Sequence, residues 1–396
     1  MTARAIPPEK WDRAGWVFLL VFAVADFVSI SVAQIAATGL GICWLGRWLA
    51  AGERPEFSAL KWPIAAFVIT SVLSALASYD VVESVRDSKD LFHFIIFFAV
   101  YDHLARHPER IMAAVKAAVA GGTLAAVHGL GQAVIRGVDI NNRISGFQST
   151  YMTFAGLLML GALAALAVAL SGREGRKSGW FYSAAALMTT AIAASLTRNA
   201  MVGLFAGGFI LLALRSPWAG AIAPALAAIA IALAPSHIQQ RVLSVTDLSD
   251  DTNKERLYLW SAGMRIARDH PFFGVGQNSF PLVYPEYRHP DVKEPNISHL
   301  HNNVIEIAAE RGVAGLLAWT SIWAVALWKT AAAWRMTRWG EFGALAAMGI
   351  SSITAFLAAG MFEYNFGAAV THMLIYFFMA ASLASAKKIE STPGEI

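Results

Sequence analysis

Long apolar runs, separated by short polar connections, follow one another along most of the chain. A bilayer core of about 30 Å is crossed by roughly 20 apolar residues in a helix, which satisfies its own backbone hydrogen bonds there. On that scale the runs predict spans near 15–31, 33–50, 62–79, 91–105, 111–134, 151–171, 179–196, 200–214, 218–234, 312–328, 340–360 and 367–385. The expected fold is therefore all-α, a polytopic membrane protein of about twelve transmembrane helices. Gly121, Gly122 and Pro224 fall inside spans, where membrane helices tolerate them. Residues 235–311 contain no membrane-length run. The chain divides accordingly into transmembrane helices 1–9 (residues 1–234), a large and partly helical loop (235–311), and helices 10–12 with a tail (312–396).

Composition sharpens this picture. Apolar residues make up 57% of the 396 and charged residues 15%, against about 45–50% and roughly 25% in an ordinary soluble domain. A water-facing surface cannot be built from so little charge, which excludes a soluble enzyme, a disordered chain and a fibrous repeat. The net charge of +4 is a topology signal in such a chain and implies no nucleic-acid partner. With the N-terminus inside, the short inner connections hold eighteen Lys and Arg, among them Arg4, Arg47, Arg106, Arg110 and Arg173. The short outer ones hold five: Arg86, Lys89, Arg136, Arg143 and Arg198. This bias predicts cytoplasmic termini and places the 235–311 loop outside, in the periplasm of a cell with two membranes. No removable signal peptide is expected, and the single Cys43 permits no intrachain disulfide.

The outer loop carries the candidate chemistry. Residues 254–269 read as an amphipathic helix with Leu257, Trp260, Met264 and Ala267 as its apolar stripe. The following HPFFGVGQNSF segment reads as a tight turn near the membrane surface on Gly274 and Gly276, since its glycines follow a helix and form no dinucleotide fingerprint. In SHLHNNVIEIAAERGVAGL, Asn302 or Asn303 can cap a helix that continues through Glu306 and Glu310 into the tenth span. That puts His299 and His301 at the helix entrance, just above the hydrocarbon. Zinc is disfavoured there because further ligands are missing from the sequence around the pair. Arg198 stands alone between two apolar stretches, and Arg143 precedes the sixth span. A snorkelling arginine is one reading of Arg198; an arginine held at the rim for function is the other.

Guanidinium groups bind phosphate bidentately and stay charged, and histidine accepts a proton from a hydroxyl near neutral pH. Together they suit transfer from a lipid-linked phosphate or pyrophosphate to a hydroxyl acceptor. No ATP-binding loop is visible, so the leaving group would supply the driving force.

The R-x-x-x-W sequence at Arg256–Trp260, HPFFGVGQNSF, HLHNNVIEIAAERGVAGL and RISGFQSTYMTFAG resemble the O-antigen ligase and polymerase superfamily, most densely over about 143–320. The resemblance implies a GT-C-like fold and an inverting, metal-independent glycosyltransferase with no cofactor. It would move O-antigen polysaccharide from undecaprenyl pyrophosphate onto the lipid A-core acceptor at the periplasmic face of the inner membrane. By motif, His301 would be the general base, with His299 and Asn302 secondary. Arg198 and Arg256 would hold pyrophosphate, joined by Arg143 and by Arg265. Arg265 lies nine residues from Arg256, about half a turn out of phase, so one straight helix cannot aim both inward. An O-antigen polymerase and a protein O-oligosaccharyltransferase differ only in acceptor. A lipid-linked glycan transporter would instead need polar residues within several spans.

Overall fold

An apolar run in lipid has one economical conformation, the helix, and the computed structural model of the chain follows it. Residues 7–172, 174–245, 247, 250–292 and 297–391 are described; Arg4 and Arg173 lie outside them. The helices before the large loop are α1 (Pro8–Ala25), α2 (Ile30–Ala51), α3 (Lys61–Leu76), α4 (Val81–Asp87), α5 (His93–Arg106), α6 (Ile111–Arg136), α7 (Tyr151–Leu170), α8 (Ser178–Ala194), α9 (Arg198–Arg215) and α10 (Pro217–Leu233). There follow α11 (Ser236–Leu243), α12 (Asp251–Asp269), α13 (Phe280–Tyr287), α14 (Asn303–Thr337), α15 (Glu341–Ala359) and α16 (Ala369–Ser391). No strand occurs among the described residues. The chain is an all-α polytopic membrane protein. Among the described residues, seven helices are long and apolar enough to cross a membrane: α2, α6 with the turn before it, α7, α9, α14, α15 and α16. The other predicted runs are helical too, as α1, α3, α5, α8 and α10. Of these, α3 and α10 are apolar but shorter, at 16 and 17 residues.

Two helices take the middle of the bundle. In α16, 94% of the most apolar window is buried inside the protein, and in α7, 83%. Packing follows side-chain size. Gly203 and Gly207 let α9 approach α15 so closely that a Cβ at either position would press on the backbone carbonyls of Ala355 and Ser351, the small-xxx-small arrangement of membrane helix pairs.

At the end of the bundle where α1 begins and α5 finishes, charges pair off. Arg47 of α2 bonds Asp12 of α1 at 3.1 Å and Asp102 of α5 at 2.9 Å. Arg106 bonds Asp102 at 3.0 Å, and Arg110 bonds Asp12 at 2.9 Å.

At the opposite end, α12 lies on α14. Its buried face is Leu259, Ala262, Gly263 and Ile266, whereas Leu257 and Met264 of the expected stripe are exposed. The face with small residues wins because Gly263 admits Leu300 and Ile305 to van der Waals distance of its backbone. Helix α14 is broken at Gly312 (φ 66°, ψ −170°). The 271–276 segment seals the break: Val275 N–H donates to Ala309 O (3.0 Å), Gly276 N–H to Glu310 O (2.9 Å), and Val313 N–H to Pro271 O (2.8 Å). A side chain at Gly274 or Gly312 would collide with the facing backbone, and both have positive φ, so only glycine fits. The expected surface turn is thus a plug for helix carbonyls that would otherwise be orphaned.

Candidate active site

Several helix beginnings meet around one cavity of about 510 Å³ at this end of the bundle. Tyr151 and Met152 open α7, Arg198 and Asn199 open α9, and Thr252 lies in the first turn of α12. Helix N-termini carry partial positive charge and unpaired N–H groups, a favourable setting for an anion.

Four arginines line the same cavity: Arg143, Arg198, Arg241 and Arg256. The short connection between α8 and α9 places Arg198 as the first residue of α9, with Leu196 just before it in a left-handed conformation (φ 54°). Arg198 is buried, and its Nη1 donates to Ser244 O at 3.0 Å and Ser244 Oγ at 3.1 Å. Its Nη2 is a buried donor without a partner. A snorkelling arginine would reach water, so that reading fails. Arg241 of α11 donates to Leu196 O at 3.1 Å, and Arg143 stacks over the Tyr151 ring at 4.4 Å. Burial, then the neighbouring Arg198 and Arg143 charges, pull the Arg241 guanidinium down to about 10. Burial, opposed in part by Glu363, likewise lowers Arg256. The acids on the lining are Glu255 and Glu363.

Arg265 is elsewhere. It donates to the Tyr287 carbonyl and lies over the Tyr287 ring, because the half-turn phase difference from Arg256 turns it to another face of α12.

His299 and His301 reach the cavity from the loop that leads into α14. Both bind one carboxylate, Glu363 in the α15–α16 turn: His299 Nε2 lies 2.9 Å from Oε1, and His301 Nδ1 lies 3.1 Å from each oxygen. Burial would raise the Glu363 carboxyl, but the hydrogen bonds from His299 and His301 outweigh it and hold the group well below the usual carboxylate range. With an ionised acceptor on Nδ1, His301 carries its proton there and leaves Nε2 free as a base. His301 has φ 51°, a strained backbone of the kind that clusters at functional sites. The next two residues hold it in place. Asn302 caps α14, accepting from Val304 and Ile305 N–H, and donates to Met361 O. Asn303 bonds Asn365 Oδ1 and accepts from Phe366 N–H. Asn302 is thus a buried cap that fixes the turn.

His299, His301 and Glu363 are close enough together to hold a metal ion; the missing third ligand was Glu363, 62 residues from His301. The chemistry of the site argues otherwise. Glu363 already accepts from both rings, and four guanidinium groups in the same cavity oppose a further cation.

Sequence reasoning found Arg143, Arg198, Arg256, His299 and His301, and missed Arg241 and Glu363. Glu363 is the one acid between the last two predicted spans, and a lone acid in so short a turn was the available signal.

Residues 183–320, about a third of the chain, match the family profile described as O-antigen ligase. This segment is similar to the O-antigen ligase family. The matched segment runs from α8 to beyond the break in α14 and carries Arg198, Arg241, Arg256, His299 and His301. Arg143 and Glu363 are supplied from outside it. Family members are membrane glycosyltransferase-like enzymes of the ligase and polymerase type, with lipid-linked polysaccharide substrates. No curated protein matches the chain.

Proposed function

We propose that the chain is an O-antigen ligase in the strict sense. It transfers O-antigen polysaccharide from undecaprenyl pyrophosphate to a hydroxyl of the lipid A-core oligosaccharide, at the periplasmic face of a bacterial inner membrane, with both termini cytoplasmic. The reading is carried by one observation: four arginines and the His299–Glu363–His301 cluster line a single cavity partly built by an O-antigen ligase domain.

In this reading the donor pyrophosphate lies among Arg143, Arg198, Arg241 and Arg256, and the orphaned Arg198 Nη2 gains an acceptor. The acceptor oxygen attacks the anomeric carbon as His301 Nε2 takes its proton, with Glu363 holding the imidazole and stabilising the imidazolium. The bond from the anomeric carbon to the pyrophosphate oxygen breaks, and the electron pair leaves with the pyrophosphate. The configuration inverts. Arginines that bind donor and departing pyrophosphate equally lower KM alone; those that bind the growing charge better raise kcat. No metal or cofactor has a step, so chelation by EDTA is expected to leave the rate unchanged.

General-base catalysis is worth about 10²–10⁴-fold. His301→Ala, expressed in a strain lacking the chromosomal copy, is expected to insert normally and leave lipid A-core without O-antigen. Wild-type O-antigen ligation in that strain would remove His301 from the reaction. Deletion itself separates the rival: loss of a polymerase leaves a single repeat unit on lipid A-core, loss of a ligase leaves none.

A further inference from the structure

A second cavity, of about 210 Å³, shares Ser298 and His299 with the arginine cavity and has the opposite electrostatics. Its polar lining includes Asp87, Asp90, Asn278, Glu310, Arg311 and Tyr364. The acids outnumber the single arginine. Asp87 ends α4 and Asp90 lies in the turn that follows, so both come from the connection between α3 and α5. Neither carboxylate has a hydrogen-bond or ion-pair partner among the described residues.

Arg311 supplies the independent sign of a ligand. Its side chain is 7% exposed, and its Nη1 donates to Glu310 Oε2 at 3.0 Å. The guanidinium also bonds the Tyr364 side chain; Arg311 lines the cavity, and its Nε–H is buried with no acceptor. A buried donor left unmade costs free energy, and an oxygen-rich guest would supply the acceptor. Phe67 and Phe366 add aromatic surface to the same lining.

This set repels a pyrophosphate and suits a neutral, hydroxyl-rich ring. Carboxylates accept from hydroxyls, Arg311 Nε donates to a ring or hydroxyl oxygen, and the phenyl faces take the C–H face of a sugar. The volume lies below the roughly 300–1,000 Å³ of sites for drug-sized ligands, so it holds one saccharide ring and excludes a chain.

We infer that the cavity between α4 and the broken segment of α14 is the subsite for the acceptor's terminal sugar, with Asp87, Asp90 and Arg311 as its hydrogen-bonding groups. This rests on the reading of the arginine cavity as the donor site. It also divides the two histidines. His299 fronts both cavities and positions the acceptor as it crosses, whereas His301 fronts the arginine cavity and acts as base.

The test uses the purified full chain in nanodiscs and two probes: delipidated core oligosaccharide for the acceptor and farnesyl pyrophosphate for the donor. Asp87→Asn with Asp90→Asn is expected to weaken oligosaccharide binding at least tenfold and to leave farnesyl pyrophosphate within twofold. Arg256→Gln is expected to do the reverse. Oligosaccharide affinity within twofold of wild type in the double variant overturns the subsite, and the donor reading stands if Arg256→Gln still loses farnesyl pyrophosphate. Unchanged farnesyl pyrophosphate affinity in Arg256→Gln overturns the donor reading itself. If the double variant does not elute as a folded protein, Asp90→Asn alone carries the same comparison.

Discussion

Arginines gather at both ends of this bundle, in different company. Near the end of α5, Arg47 is bonded to both Asp12 and Asp102, Arg106 to Asp102 and Arg110 to Asp12, with every distance between 2.9 and 3.1 Å. At the other end, Arg198 reaches Asp250 only at 3.8 Å and keeps a buried N–H without a partner. There, burial and the mutual repulsion of the arginines lower Arg241 to about 10. The lesson concerns pairing. A buried charge surrounded by its counter-charges is committed to holding helices together, and removing one member leaves the others stranded. A buried charge among like charges is uncommitted, and an anion that enters relieves the crowding. The residue type is the same; only the second set has something left to offer a substrate.

The contrast can be broken first at the crowded end. Arg256→Ala and Arg198→Lys are each expected to lower kcat/KM for ligation by about 10²-fold, the range for loss of one preorganised donor to developing charge. Lysine fails because a point charge does not replace a fork. Arg265→Ala, on the same helix but turned to Tyr287, is expected to stay within twofold of wild type in the same assay. Equal losses in Arg256 and Arg265 variants would dissolve the distinction.

A change at the paired end tests the other half. Arg47→Ala leaves Asp12 and Asp102 facing each other without their shared cation, and is expected to cost about 3–5 kcal/mol of stability. Thermal unfolding followed by loss of monodisperse elution reads it. Protein that remains folded should bind farnesyl pyrophosphate as wild type does; a selective loss of that binding would make the paired cluster part of the site.

The smallest effect belongs to Glu363, which is held well below the usual carboxylate range and stays ionised throughout neutral and mildly acidic pH. Glu363→Gln keeps an acceptor for the two histidines and loses the charge, and is expected to lower kcat/KM for ligation about tenfold, the worth of one hydrogen bond to a charged group. An unchanged kcat/KM would separate Glu363 from the base.

The spans were legible because hydrocarbon imposes a length and a composition that a single sequence displays. Arg198, Arg256 and His301 were legible through local context: a charge where none is tolerated without cause, or a motif at a helix start. Glu363 and Arg241 were not, since each acquires its meaning only from residues brought to it by the fold. The stripe chosen on α12 went wrong for a related reason. Leu257 and Met264 are matched in size by Leu259 and Ile266 on the buried face, and the contact was decided by how closely a backbone can approach, which favours the face with Ala262 and Gly263. Likewise the glycines of 274–276 gave no hint that they face a break in a helix 36 residues further along.

That break separates two events in the life of the protein. The part of α14 beyond Gly312 can enter the bilayer as soon as it is synthesised, on apolarity alone. The part that presents His301 comes into position only when the 271–276 backbone docks against it and the α15–α16 turn, made later, supplies Glu363 and the partners of Asn303. Biogenesis of the membrane scaffold and maturation of its active centre are therefore distinct, and a chain counted as correctly inserted has not thereby been counted as an enzyme.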